Sequence, residues 1–151
     1  MEQHKRVLVV DDDPQVRQLL ETVLRARSLQ VDLAADGAEA LALIAEHPYS
    51  VILLDLVMPN VDGFAVLQSL AANTSVMPVV LVITGGDRRL IDRLDAQNIH
   101  GIIRKPFDAE DLAGLVQACA EVRERSSYGA MAIATMIAGS PFLALLNRLT
   151  S

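Results

Sequence analysis

Residues 51–63 read VILLDLVMPNVDG, and they indicate both how the chain folds and where its chemistry lies. Four apolar residues run directly into Asp55, and the turn-forming residues Pro59 and Gly63 follow. A short apolar run bounded by turn residues predicts a strand buried on both faces of a sheet. A carboxylate is costly to bury. Asp55 therefore either caps a turn or serves a chemical role.

Length and composition indicate one globular domain. The chain has 151 residues, of which 52% are hydrophobic and 21% charged, enough for a sizeable core and too apolar for disorder. Its net charge of -6 argues against electrostatic binding to a nucleic-acid backbone. The single cysteine, Cys119, excludes an internal disulfide and is expected in the core. Because the N-terminus lacks the apolar core of a signal peptide, we expect a cytoplasmic protein.

Five short apolar runs alternate with segments whose apolar residues follow helical spacing. The predicted strands are 6–10, 31–35, 51–54, 79–83 and 101–104. Strands that alternate with helices predict an α/β fold, with a parallel sheet covered by helices on both faces. Right-handed crossovers leave few topologies, and the five-stranded order 2-1-3-4-5 is favoured among them.

Aspartates mark three of the predicted helix starts. Asp13 precedes Pro14, which is the pattern of an N-cap followed by proline at the first helical position. Asp36 and Asp108 each precede a second acidic residue three positions further on. That spacing predicts caps for the second and fifth helices.

Polar side chains stand where the predicted strands end, which is the functional edge of such a sheet. Strand 1 leads into Asp11 and Asp12, strand 3 into Asp55, strand 4 into Thr84, and strand 5 into Lys105. Because strands 1 and 3 are neighbours in this order, their three aspartates should converge. Like charges that close raise one another's pKa unless a cation lies among them. Carboxylate and carbonyl oxygens suit Mg²⁺, so the sequence predicts a hard-cation site.

The other two residues extend this prediction to phosphoryl chemistry. Lys105 is one of only two lysines and offers a compact positive charge, and Thr84 offers a hydroxyl donor. Together with a metal they could neutralise a phosphoryl group, and an aspartate can be the nucleophile that accepts it. Singly, each residue would be an ordinary cap, strand-end threonine or exposed lysine. Their joint occurrence at four strand ends favours the functional interpretation, with Asp55 as the nucleophile.

Four stretches carry a family resemblance: VLVVDDDP (7–14), VILLDLVMPNVDG (51–63), VITGG (82–86) and IIRKPF (102–107). In order and spacing they resemble the receiver domain of two-component response regulators, of the chemotaxis-regulator kind. The resemblance implies a flavodoxin-like receiver domain over residues 1–125. It implies a phosphoacceptor signalling module that catalyses its own phosphorylation and dephosphorylation, and not an enzyme with an external substrate.

The resemblance also implies the roles of the acidic residues. Asp55 would be the phosphoacceptor. Asp12 would bind Mg²⁺ directly and Asp11 mainly through water, while Asp55 and the backbone carbonyl of Val57 would complete the protein ligands.

By the same resemblance, Thr84 would bond a phosphoryl oxygen, Lys105 would pair with the phosphate, and the Lys105–Pro106 peptide would be cis. The sequence departs from the family pattern at Ile102, which stands where the family has its signalling aromatic, three residues before the lysine. We therefore expect the switch between Thr84 and strand 5 to be muted, or to be carried by other groups such as the loop between strand 4 and helix 4.

Partners and an alternative function follow from these assignments. The implied phosphodonor is a sensor histidine kinase or a histidine phosphotransfer protein, and no direct nucleic-acid binding is expected. The alternative is a metal-dependent phosphatase with an aspartate nucleophile. Haloacid-dehalogenase-like enzymes carry that nucleophile after the first strand in a D-x-D arrangement, which residues 11–13 could imitate. No cap insertion accompanies it, however, and Asp55 would go unexplained.

Residues 126–151 are expected to form an apolar helical extension. The first 22 carry no charge, and the Gly-Ser-Pro sequence at 139–141 reads as a helix stop, an N-cap and a helix start. This predicts short helices near 128–138 and 141–149. Packing on the same chain or on a second copy, giving a homodimer, is favoured over the start of an output domain. A membrane anchor is disfavoured, because no apolar run reaches the roughly 18–20 residues it needs.

Overall fold

The computed structural model describes residues 5–58, 61–73, 77–85, 88–94 and 99–125. Strands and helices alternate along them. The strands are β1 (Arg6–Val10), β2 (Gln30–Ala34), β3 (Val51–Asp55), β4 (Val79–Thr84) and β5 (Gly101–Arg104). The helices are α1 (Pro14–Arg25), α2 (Gly37–Glu46), α3 (Gly63–Asn73), α4 (Arg88–Asp92) and α5 (Ala109–Arg125). The extension predicted over 126–151 lies outside the described residues.

The five strands form one sheet in the order β2-β1-β3-β4-β5, and every neighbouring pair is parallel. The predicted topology is confirmed. All residues of β3 and β4 are buried, as their unbroken apolar runs predicted, because helices cover both faces of a parallel sheet. The edge strands are less enclosed, and each exposes a polar residue, Gln30 in β2 and Arg104 in β5.

Two strands run one residue further than their apolar runs. β3 includes Asp55, which pairs with Ile83, and β4 includes Thr84, which pairs with Arg104. β2 instead begins and ends one residue earlier than predicted. The sheet ladder therefore holds the backbone of Asp55 and Thr84 directly, which fixes these two side chains more firmly than a following loop would.

Helix starts follow the predicted caps. Asp13 accepts a hydrogen bond from the N–H two positions on, at 2.9 Å, and Asp36 and Asp108 each accept from the N–H three positions on, at 2.8 Å. Glu39 also accepts from the N–H of Ala35, at 2.8 Å. These bonds satisfy backbone donors that a helix leaves unpaired at its N-terminus.

Two apolar clusters flank the sheet. Alternate residues of β1 point to opposite faces, so Val7 and Val9 pack with α1 and α5, while Leu8 and Val10 pack with α2 and α3. Cys119 of α5 lies in the first cluster, and burial raises the pKa of its thiol to about 12. It is the small core residue that the sequence predicted. Within the described ranges, no helix combines the length and apolar character needed to cross a membrane.

Candidate functional site

Three carboxylates meet at the carboxyl end of the sheet. Asp11 follows β1 and Asp55 ends β3, and these strands are hydrogen-bonded neighbours. One oxygen from each of Asp11, Asp12 and Asp55 lies within 4.8 Å of the other two. Asp11 is fully buried and Asp55 is 4% exposed, whereas Asp12 is exposed. The strand order thus brings together the aspartates in which the sequence predicted a cation site.

Lys105 supplies a positive charge to this cluster. Its Nζ lies 2.8 Å from Asp11 Oδ2 and 3.4 Å from Asp55 Oδ2. Its backbone N–H donates to the carbonyl of Thr84 at 2.8 Å, and the Lys105–Pro106 peptide is cis, as the resemblance implied. Among the described residues only this ammonium forms an ion pair with the cluster, so one cation faces three carboxylates.

The environment of Asp55 raises the pKa of its carboxyl group. Burial is the largest cause and raises its pKa above the usual value. The N–H of Val57, which donates to Asp55 Oδ1 at 3.0 Å, opposes that shift. The charge of Asp11 raises the pKa further, and Lys105 lowers it. The net rise means that the positive charge around Asp55 does not fully balance its carboxylate.

Lys105 is shifted by the same charges in the direction that keeps it protonated. Burial by itself lowers the pKa of its ammonium, but the hydrogen bond to Asp11 and the charges of Asp55 and Asp11 outweigh burial and raise it. Lys105 therefore stays charged beside the carboxylates at neutral pH.

The donor set suits a hard divalent cation. Carboxylate oxygens converge from two adjacent chain segments, and magnesium prefers such ligands together with water. Asp12 is exposed, which leaves one side of the cluster open to solvent. A divalent ion there would counter the two causes that raise the pKa of Asp55, which are its burial and the charge of Asp11.

The remaining predicted residues lie on the neighbouring strands or just after them. Thr84 is fully buried at the end of β4, one residue beyond Ile83, the partner of Asp55 in the ladder. Ile102 lies partly buried in β5, opposite Val82. Val57 follows Asp55 by two residues and has 58% of its surface exposed.

Two residues contribute to the site although the sequence analysis did not assign them to it. Arg17 Nη1 donates to the carbonyl oxygen of Asp11 at 2.7 Å. Gly63 begins α3 so close to β3 that an added Cβ would lie 2.5 Å from the carbonyl oxygen of Asp55 and 2.8 Å from Leu56 Cα. In the sequence, Arg17 could have been found by its position four residues after the N-cap Asp13. Gly63 could have been found as a glycine that ends a turn after the strand.

Comparison with protein families agrees with the fold. The family model described as the response regulator receiver domain matches residues 7–117. The chain belongs to the response regulator receiver domain family, and it is a signalling module.

Relatives support the assignment at moderate identity. The chain is 38% identical to the response regulator MprA of Mycobacterium sp. (strain KMS) over 115 residues, which cover 75% of this chain and 49% of that one. It is 29% identical over 151 residues to the probable transcriptional regulator ycf27 of Guillardia theta, covering 98% of this chain and 58% of the relative. The chain thus spans about half the length of the curated relatives it matches.

A solved structure resembles the fold closely. The response regulator protein TrrA of Thermotoga maritima, in complex with Mg²⁺-BeF, superposes with a TM-score of 0.67 at 27% identity. The match covers 76% of this chain and 98% of that chain.

Proposed function

We propose that Asp55 accepts a phosphoryl group from a phosphohistidine donor and that the modified surface then binds a partner in phosphorelay signalling. The supporting observation is the convergence of Asp11, Asp12 and Asp55 within 4.8 Å, with Lys105 at 2.8 and 3.4 Å from two of them. The donor is a sensor histidine kinase or a histidine phosphotransfer protein. The chain acts in the cytoplasm, where such donors present their phosphohistidines.

Phosphoryl transfer here requires little more than positioning and charge stabilisation. A carboxylate oxygen of Asp55 attacks phosphorus and the P–N bond of the phosphohistidine breaks. The leaving imidazole nitrogen keeps the electron pair of that bond and takes up a proton from solvent. Lys105 stabilises charge on the transferred oxygens, since its Nζ already lies 3.4 Å from Asp55. Thr84, which ends the adjacent strand, offers its hydroxyl to another of those oxygens. Hydrolysis of the aspartyl phosphate by water returns the resting state, so the chain catalyses only its own phosphorylation and dephosphorylation.

Magnesium would be held by Asp12 and Asp55 directly, by Asp11 mainly through water, and by the backbone carbonyl of Val57. When bound, it would neutralise negative charge on the cluster and on the incoming phosphoryl group. The fit rests on the donor set described above. The Mg²⁺-BeF complex of the Thermotoga relative is consistent with it.

Ile102 is proposed as the switch position, with a muted response. Its side chain is apolar and partly buried in β5, so it has no polar tip to exchange between an inner and an outer hydrogen-bonding position. A movement of Thr84 towards the phosphate would therefore pass to partners through packing, or through the loop after β4.

Incubating the chain with acetyl phosphate and Mg²⁺ tests the proposal. We expect a mass gain of one phosphoryl group that maps to Asp55 and disappears in Asp55→Asn. Asp62→Asn is the matched control, because Asp62 is an exposed carboxylate of the same loop that caps α3 through the N–H of Ala65 at 3.0 Å. Asparagine preserves that cap, so this variant should be labelled like the parent.

The position of the label also distinguishes the receiver function from the alternative, a metal-dependent phosphatase. A phosphatase with its nucleophile after the first strand would carry the label within residues 11–13 and would turn over an external phosphate ester. Label that persists in Asp55→Asn would therefore overturn the receiver function for this site.

A further inference from the structure

Asp11 organises the β1–α1 loop, which carries Asp11 and Asp12 of the acidic cluster. All polar groups of Asp11 are hydrogen-bonded. Its N–H donates to the carbonyl of Ala34 at 3.1 Å. Its Oδ1 accepts from the N–H of Asp13 at 2.9 Å, and its Oδ2 faces Lys105 at 2.8 Å. Its carbonyl oxygen accepts from Arg17 Nη1 at 2.7 Å. The last bond is the only one of the four that fixes the peptide joining Asp11 to Asp12.

Arg17 is well placed to hold that peptide. It lies in α1, and its own N–H donates to the carbonyl of Asp13, the N-cap, at 3.1 Å. The helix therefore anchors its backbone, while its side chain reaches back over the first turn to the carbonyl of Asp11. A guanidinium remains charged at any pH that a protein survives, and a charged donor makes a short, strong hydrogen bond.

We infer that Arg17 is a positioning residue for the cation: it locks the Asp11–Asp12 peptide and so aims the exposed carboxylate of Asp12 at the shared site. Asp12 is exposed, so burial does not restrain its side chain, whereas Asp11 and Asp55 are buried. Partners that orient metal ligands commonly change metal affinity by about 10–100-fold when removed. This inference rests on the proposed function, since it assigns a residue to the same cation site.

Arg25 provides a matched control on the same helix. Its Nη2 also donates to a backbone carbonyl, that of Val31 in β2 at 3.2 Å, and it pairs with Glu21 at 3.5 Å. Arg25 thus carries the same charge as Arg17, lies in the same helix and makes the same kind of bond. It lies, however, at the end of α1 that is remote from the β1–α1 loop. Replacing either arginine by glutamine removes one positive charge and one bond to a carbonyl.

The experiment measures Mg²⁺ binding by calorimetry on the unphosphorylated full chain, with hydrogen exchange of the metal-free protein as a second readout. We expect Arg17→Gln to raise the dissociation constant about 10-fold and to speed exchange of the Asp13 amide, while Arg25→Gln changes neither. Arg17→Lys should recover part of the affinity, because a single ammonium can still donate to the Asp11 carbonyl. Melting temperatures of the metal-free proteins identify any variant that fails to fold.

Three results would overturn the inference. The first is equal Mg²⁺ affinity in Arg17→Gln and the parent, and the second is a loss of Mg²⁺ affinity in Arg25→Gln as large as that in Arg17→Gln. The third is that the affinity difference between Arg17→Gln and the parent vanishes at about 0.5 M salt, where long-range charge effects are screened. If the parent binds Mg²⁺ and is labelled at Asp55 in these cases, the proposed function stands. A parent that neither binds Mg²⁺ nor accepts the label overturns the proposed function itself.

Discussion

At the scale of single residues, Asp55 shows how a buried strand can end in a charge. The side chain is almost enclosed, and burial is the main cause of its raised pKa. Two groups make this tolerable: the Val57 N–H bonded to Oδ1 and the Lys105 ammonium near Oδ2. Their compensation is incomplete, so the carboxylate destabilises the metal-free fold and gains from binding a cation.

That imbalance predicts a stabilising substitution. Asp55→Asn should raise the free energy of unfolding of the metal-free protein by about 1 kcal/mol, because it removes a desolvated charge that Asp11 repels. The amide oxygen can still accept from the N–H of Val57. Asp12→Asn should give a smaller gain, since Asp12 is exposed and its charge is better screened. Urea melts without metal would measure both differences.

Saturating Mg²⁺ provides the control for this prediction. A ligand that binds only the folded state stabilises it, so the parent should gain more from Mg²⁺ than either variant. If Asp55→Asn unfolds more easily than the parent without metal, the pairing with Lys105 outweighs the cost of burial, and the charge-imbalance argument is wrong.

At the scale of elements, α2 is coupled to the loop that follows β3. The N–H of Gly37, the first residue of α2, donates to the carbonyl of Val61 at 3.1 Å. A Cβ added at Gly37 would lie 2.3 Å from that oxygen, a distance that side chains cannot adopt. The absence of a side chain at Gly37 thus allows α2 and the β3–α3 loop to approach so closely.

Gly37→Ala should therefore displace the loop and destabilise the fold by about 1–3 kcal/mol, the usual cost of overpacking. Gly85→Ala is the matched control, because a Cβ at Gly85 would meet none of the described residues within 4 Å. Thermal or urea unfolding of the two variants would compare them. Equal stability of the Gly37→Ala and Gly85→Ala variants would mean that α2 moves away from the loop at little cost. The contact between Gly37 and Val61 would then not restrain the loop.

At the scale of the whole molecule, the two apolar clusters hold the sheet between helices, while three carboxylates and Lys105 lie together at its carboxyl edge. The helices that build the clusters also supply capping and positioning groups to the connecting loops. A phosphoryl group at Asp55 would therefore change the charge at one edge of a well-packed scaffold, where loops and not core residues can respond.

At the same scale, we predict how the extension over residues 126–151 affects the assembly state and the exposed apolar surface. Its many large apolar residues need a covering surface, because two isolated short helices are marginal in water. We expect deletion of residues 127–151 to change the assembly state or to expose apolar surface, while Asp55 is still phosphorylated. Light scattering and binding of a hydrophobic dye would compare the full and shortened chains. A monomeric full chain whose tail amides exchange freely would contradict the packing hypothesis and favour the start of an output domain.

Strand positions, strand order, helix caps and the convergence of Asp11, Asp12 and Asp55 could be predicted from the sequence. Apolar runs and caps are local patterns, and parallel connectivity then brings the strand ends together. Contacts between distant elements decided the rest: Lys105 lies closer to Asp11 than to Asp55, and Arg17 holds the Asp11 carbonyl. Which donor reaches which oxygen depends on how side chains pack in three dimensions, and no spacing along the chain specifies that.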